Sequence, residues 1–489
     1  MSIQDSLSAP ENEPNLSVGR NVKIGLFHLG SGMADVIATG VWNRIMISDL
    51  GFAATPIGLL VSLRYFLAPL GVWAGRISDQ HAVFGYRRLF WVWLGRAMMV
   101  ASIMGLGVIT ANLARGADAN PLIWAELAGA LFLFSLGNAI SGSTFLALIY
   151  DRANPGQRGR AVGIVWTFLL LGFTIGGVLF GVLLPSAESS ESALRYGGAE
   201  VASLLPYAQT VAPRELGFTP ETLQNLFVVG AVAMGGLWFI SLFGEEQRSR
   251  GHVSGEKGTE AARKSSMLGD LRLVWENRPM RFFCIYLALS MMFAFSQDLI
   301  LEPFAAEVFD MPARTTSRFS AYWGSMSILG TLGFLWLSRR YKFWTNATMS
   351  YVGVAVLIGT FVLFAVSSVA ELRWLVTPGL ITLGIGLGIW NVGTLGLMMD
   401  MSPLQSAGTF LGFWTLVVTV ARGIGVSSGG IVRDIMLGIT GTDTISYGVV
   451  FLIGAIGLVV SYWSLVQARV NTVSVSTSDP QAVFAGALD

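Results

Sequence analysis

The stretch Phe27–Asp49, FHLGSGMADVIATGVWNRIMISD, decides how the rest of the chain is read. It is apolar and long enough to cross a bilayer, since a helix rises about 1.5 Å per residue against a hydrocarbon core of about 30 Å. Yet it carries His28, Asp35, Asn43 and Arg44. At about 100° per residue, His28, Gly32, Asp35, Thr39 and Trp42 share one face, with Arg44 nearly opposite Asp35. A midplane carboxylate is costly in lipid, so that face is expected to look into protein, water or a ligand.

Composition agrees with a membrane setting. Of 489 residues, 53% are hydrophobic and 12% charged, with mean hydropathy +0.61; charged residues are about half as frequent as in soluble domains. A net charge of +1 argues against nucleic acid, whose phosphates call for clustered Lys and Arg. The single cysteine, Cys284, excludes a disulfide framework or a thiolate metal cluster within one chain. The first 19 residues are polar and acidic, so no cleavable signal peptide is expected.

Hydropathy marks twelve candidate spans, at about 24–47, 54–75, 89–112, 122–149, 160–184, 223–243, 280–301, 315–337, 345–367, 374–398, 407–432 and 444–467. With the N-terminus inside, 20 of the 31 Lys and Arg fall on the cytoplasmic side, seven outside and four within spans. The positive-inside rule then places both termini in the cytoplasm. The polar segment after span six divides the chain. The expected organisation is a tail at 1–21, a six-helix bundle at 22–243, a linker at 244–279, a second six-helix bundle at 280–467 and a tail at 468–489. Within the linker, residues 267–277 have the spacing of a short helix, lying on the membrane surface or packed on the cytoplasmic loops. The longest outer stretch, 185–222, carries Glu188, Glu191, Glu200, Glu215 and Glu221 and reads as a lid or as a solvated connector.

A faint repeat supports two related halves. Asp151 and Asp400 each precede a proline-containing turn, with Trp166-Thr167 and Trp414-Thr415 soon after. The spans that follow are glycine-rich: Gly172, Gly176, Gly177 and Gly181, then Gly423, Gly425, Gly429 and Gly430. Such spacing lets helix backbones approach closely.

Three charges lie near the midplane: Asp35, Arg64 and Arg422. Pairing Asp35 with Arg64 or Arg422 is the economical arrangement, read as a gate or substrate contact or as a packing ion pair. Asp35 is the one strong midplane carboxylate for proton-driven transport. Arg44, Glu126, Asp298 and Glu302 are expected near the outer interface. There is no GxxxxGK[ST] loop, HExxH motif or nucleophile elbow, so neither an ATP-driven pump nor an enzyme is expected.

The runs GSGMADV (Gly30–Val36), GVWNRIMISDLG (Gly40–Gly51) and LLVSLRYFLAPLGVWAGRISD (Leu59–Asp79) resemble the PucC/LhaA family, with a looser match at IWNVGTLGLMMDMS (Ile389–Ser402). That family is described as a light-harvesting assembly and bacteriochlorophyll-delivery branch of the major facilitator superfamily. The resemblance implies an all-α polytopic fold of two six-helix bundles around a central cleft. It implies an assembly factor in a bacterial inner membrane, cytoplasmic or intracytoplasmic. Its partners would be antenna polypeptides, with the reaction-centre complex or pigment-synthesis enzymes as further candidates. Bacteriochlorophyll would be cargo or bound pigment, and His28 a candidate axial ligand to its magnesium, although a lone membrane histidine is more often a packing residue. The superfamily's gate-like loop after span two is matched by Gly75, Asp79, Gly85, Arg87 and Arg88. Gln80 replaces its first arginine and HAVF (His81–Phe84) intervenes. The alternative function is a secondary transporter of a small amphipathic solute.

Overall fold

The computed structural model describes residues 16–117, 119–154, 157–184, 219–246, 275–341, 343–402 and 407–468. The expected short helix at 267–277 falls mostly outside these, as does nearly all of the acidic outer stretch at 185–222. The described residues are helical throughout, apart from turns and one isolated bridge between Val83 and Tyr86.

The first half contains α1 (Val18–Asp49), α2 (Ala54–Gln80), α3 (Leu89–Ala114), α4 (Pro121–Arg152), α5 (Arg158–Leu183) and α6 (Pro220–Leu242). The second contains α7 (Arg278–Ala294), α8 (Leu301–Phe309), α9 (Phe319–Arg340), α10 (Asn346–Val369), α11 (Val376–Asp400), α12 (Ala407–Thr440) and α13 (Asp443–Gln467). Several starts are set by local chemistry. Ser17, Asn120, Thr219, Asn277 and Thr345 each accept a hydrogen bond from an N–H of the first turn, and Pro121 and Pro220 sit where the missing N–H costs nothing.

Among the described residues, ten helices are long and apolar enough to cross a membrane, which makes this a multi-pass membrane protein. The expected spans at 280–301 and 315–337 are not among the ten. α7 has 17 residues and stops at Ala294, short of the roughly 20 that a crossing helix needs. α9 is long enough, but Ser320, Tyr322, Ser325, Ser327 and Thr331 lower its hydropathy. The first helix also begins earlier than expected, inside the tail assigned to 1–21.

The aspartates of the faint repeat take matching positions. Asp151, at the end of α4, pairs with Arg87 at 2.9 Å and Arg88 at 3.1 Å, just before α3. Asp400, at the end of α11, accepts from Asn346 Nδ2 at 3.0 Å, at the start of α10. Each closes a helical hairpin at the end where the hairpin's first helix begins.

The halves meet along two seams, α2 against α12 and α5 against α9. Ser427 Oγ donates to Ser62 Oγ at 2.8 Å, and Gly177 and Gly181 lie against residues 314–321. The N-terminus of α2 has no side-chain cap of its own. Asp434 of α12 supplies one across the seam, accepting from Ala54 N at 3.1 Å and Thr55 N at 2.7 Å. Capping of this kind contributes about 0.5–2 kcal/mol. Asp434→Ala is therefore expected to lower the thermal midpoint in detergent, with Asp434→Asn retaining most of the stability; equal losses for both would mean the cap contributes nothing.

At the linker end, among the described residues, the polar contacts stay within each half. Glu245 holds Arg20 at 2.6 Å and Lys23 at 3.1 Å, and Glu246 accepts from the backbone N–H groups of Arg87, Arg88 and Leu89. Among the described residues the seam is thus tied mainly at the end opposite the linker.

Candidate functional site

A small polar cavity lies between the halves. Its walls come from α1 (Asp35, Val36, Thr39, Gly40), α2 (Arg64), α5 (Phe173), the turn after α7 (Gln297, Asp298), α8 (Leu301, Glu302), α9 (Ser320, Trp323) and α12 (Arg422). Arg64 Nη1 lies 2.8 Å from Asp35 Oδ1, and Arg64 Nη2 donates to the Tyr65 hydroxyl at 2.6 Å. Arg422 Nη2 pairs with Asp298 Oδ2 at 2.9 Å, with its guanidinium 3.8 Å above the Phe295 ring. Asp35 therefore has Arg64 as its partner, while Arg422 is held by a residue of its own half.

The face read from α1 is only partly the cavity face. Asp35 and Thr39 line the cavity; His28, Gly32 and Trp42 do not. The helix is regular α only as far as Asp35, then π-helical over Val36–Val41 and again over Ile45–Asp49. Hydrogen bonds from i to i+5 turn the chain less per residue than the 100° of an α-helix, so the phase set by Asp35 is lost by Trp42. Trp42 is fully buried instead, and its Nε1 donates to Thr110 of α3 at 3.0 Å. Gly32 faces α5, where a Cβ would fall 2.9 Å from the Gly172 Cα. It is a backbone-packing residue.

His28 lies further toward the linker end, among Phe27 (5.7 Å between ring centres), Phe145 (4.9 Å) and Trp166 (6.2 Å). Its Nδ1 is buried with no hydrogen-bond partner. In the second half Phe283 meets Trp414 edge-on at 5.4 Å, an all-apolar version of the same helix contact. Nearby, Arg96 is 3% exposed and lies between Phe27 and Trp238, at 4.3 and 4.8 Å from their ring centres.

The gate-like loop is built around a tight reversal. Phe84 (φ 53°) and Gly85 (φ 83°) both adopt left-handed backbone between the bridged residues Val83 and Tyr86. Paired positive φ values suit a two-residue hairpin turn, which is what the extra HAVF residues build. Asp79 pairs with Arg88, Arg88 Nη1 donates to Ser78 Oγ at 2.6 Å, and Gly75 lies against Ser143 of α4. All five matched residues belong to this linker-end network, away from the cavity.

Among the cavity residues the sequence reading did not place there are Gln297, Asp298 and Glu302. Gln297 and Asp298 fall on the span that breaks after Ala294 and Glu302 lies just beyond it, and Asp298 and Glu302 were expected at the outer interface. The available signal was Pro303, whose ring opposes helix in the residues upstream, together with three consecutive polar residues, Ser296–Asp298.

A model of the family described as PUCC protein matches residues 41–473. The chain is 26% identical over 429 residues to "Protein PucC" of Cereibacter sphaeroides, covering 86% of this chain and 84% of that protein. It is 27% identical over 439 residues to "Bacteriochlorophyll synthase 44.5 kDa chain" of Rhodobacter capsulatus, covering 88% and 90%. Among solved structures it superposes on a bacterial homologue of the human lysosomal transporter Spinster, in an inward-facing, unoccupied conformation. The TM-score is 0.67 at 14% identity, over 94% of this chain and 100% of that one. The structural likeness establishes a transporter-type, major-facilitator-like fold, and the match across 41–473 establishes that the chain belongs to the PUCC protein family.

Proposed function

We propose that this protein is an assembly factor for bacterial light-harvesting antenna complexes, binding antenna polypeptides and delivering or holding bacteriochlorophyll in the inner or intracytoplasmic membrane. The observation that carries the reading is the family match over residues 41–473. A relative named as a bacteriochlorophyll synthase chain supports the pigment connection. On this reading the chain acts as a carrier or chaperone, not a catalyst.

The central cavity suits a small polar group better than a flat conjugated ring. Five charged side chains line it, and an apolar macrocycle would strip them of water without pairing them. Pigment is then handled on lipid-facing surfaces, where small-residue faces and exposed aromatics such as Trp73, Trp336 and Trp463 can meet single-span helices. The second reading, a secondary transporter of a small amphipathic solute, draws on this charged cavity between the halves and on the transporter-type fold.

The test is purification from a native phototrophic membrane, with near-infrared absorption and identification of co-purifying polypeptides. Bacteriochlorophyll in proportion to the chain, retained after antenna subunits are stripped, is the expected result. If pigment and antenna polypeptides are both absent, the transporter reading takes precedence. In the same host, Asp35→Asn is expected to reduce the antenna level several-fold by releasing Arg64 from its partner. His28→Ala is expected to leave it near the wild-type level, because His28 occupies a packing position; loss of pigment in His28→Ala alone would instead assign coordination to that imidazole.

A further inference from the structure

The cavity contains one carboxylate more than its arginines neutralise. Asp35 is paired with Arg64, and Asp298 with Arg422. Glu302, at the second residue of α8, lines the same space and is 4% exposed. Among the described residues no other residue forms an ion pair with its carboxyl or donates a hydrogen bond to it; the hydrogen bond it accepts comes from its own backbone N–H. With all three acids ionised, one negative charge remains uncompensated, and a buried charge without a partner is the costly case.

Glu302 also sits at the join between the halves. Its Oε1 lies 3.3 Å from where a Cβ on Gly40 of α1 would be, and Ser320 Oγ of α9 lies 3.7 Å from the same point. Charged groups on the neighbouring elements are engaged elsewhere. Arg44 and Asp49, on the part of α1 packed against α8, pair with each other. Glu307, further along α8, is held by Arg433 of α12 and the Tyr447 hydroxyl of α13. Asp443 lies with Arg433.

We propose that Glu302 is a proton-binding site that ties protonation of the cavity to closure of the seam between the two halves. A proton fits where a metal ion does not. Hard cations demand about six oxygen ligands, the other two carboxylates are committed to arginines, and both guanidiniums repel a second cation. The coupling follows from hydration. When the seam is closed, Gly40 and Ser320 cover the Glu302 carboxyl and its neutral form is favoured; when the halves part, water reaches it and the ionised form is favoured. Because such linkage is reciprocal, raising pH favours parting.

The experiment uses the full chain in lipid nanodiscs, with Cys284→Ser and spin labels at Leu122→Cys and Ile439→Cys. These exposed positions lie on α4 and α12, at the end opposite the linker. Electron–electron double resonance between pH 5 and pH 9 reads the ratio of short to long distances. The ratio is expected to fall about tenfold or more as pH rises, the scale of one linked proton. Glu302→Gln should hold the short distance at every pH, and Glu302→Asp should restore the dependence. A pH-independent ratio in the wild type, or the same pH response in Glu302→Gln, overturns the proposal. A ratio that follows sodium concentration at fixed pH, and not pH itself, overturns it in favour of a metal ion.

Discussion

Replacing Arg433 with methionine is expected to destabilise the folded protein by about 3–5 kcal/mol, the usual cost of removing one partner from a buried ion pair. Arg433 is fully buried on α12 and holds three acids: Glu307, Asp434 at 3.0 Å and Asp443 at 3.6 Å. Glu307 is itself 4% exposed and accepts from the Tyr447 hydroxyl at 2.6 Å. Without the guanidinium its carboxylate loses that charged partner while keeping the Tyr447 hydroxyl. Asp434 loses the neighbour that orients it, so the cap on α2 weakens too. The loss should be non-additive. Arg433→Met with Glu307→Gln is expected to regain more than half of it, because the amide needs no counter-ion and keeps Tyr447 as a partner. Thermal unfolding in detergent, followed by tryptophan fluorescence, measures both. A single-variant loss under about 1 kcal/mol, or a double variant no better than the single, would show that the cluster does not hold this end of the seam.

Most of the helical layout could be read from the sequence because crossing a bilayer forces long apolar runs, and ten of the expected spans meet that criterion in the structure. The two that do not both border the cavity. The turn carrying Gln297 and Asp298 breaks one, and the serine-rich face of α9 lowers the hydropathy of the other. Local hydropathy cannot distinguish a broken helix at a site from a weak span. The charged residues of the cavity were visible as types but not as partners. Asp35 and Arg64 are 29 positions apart and Asp298 and Arg422 are 124 apart, and which pair forms depends on how distant helices pack within each half. Trp42 was placed on the wrong face of α1 for a different reason. A helical wheel assumes one constant angle, and six π-helical residues after Asp35 break it.

Gly32→Ala is expected to be as damaging as loss of a buried charge, although it adds one methyl group. Gly32 of α1 and Gly172 of α5 face each other where the helices cross. A Cβ at Gly32 would fall 2.9 Å from the Gly172 Cα and the Phe173 N, and closer still to the Leu169 carbonyl oxygen. A Cβ at Gly172 would fall 3.0 Å from the Gly32 Cα. These are backbone atoms, so no side chain can turn aside, and the helices themselves must separate. Overpacking typically costs about 1–3 kcal/mol where rotamers can adjust, and here the upper end or more is expected. The consequence reaches the cavity, since Asp35 is the next residue but two on the same helix and would be drawn away from Arg64. Two effects should therefore appear together: a lower yield of folded protein and a weakened Asp35–Arg64 coupling in a double-mutant cycle. Gly359→Ala, on α10 with no atom within 4 Å of its Cβ position, is the control. It should be neutral or slightly stabilising, since alanine is the better helix former by about 1 kcal/mol. If Gly32→Ala behaved like Gly359→Ala, the close crossing of α1 and α5 would be wrong, and the placement of Asp35 in the cavity would fall with it.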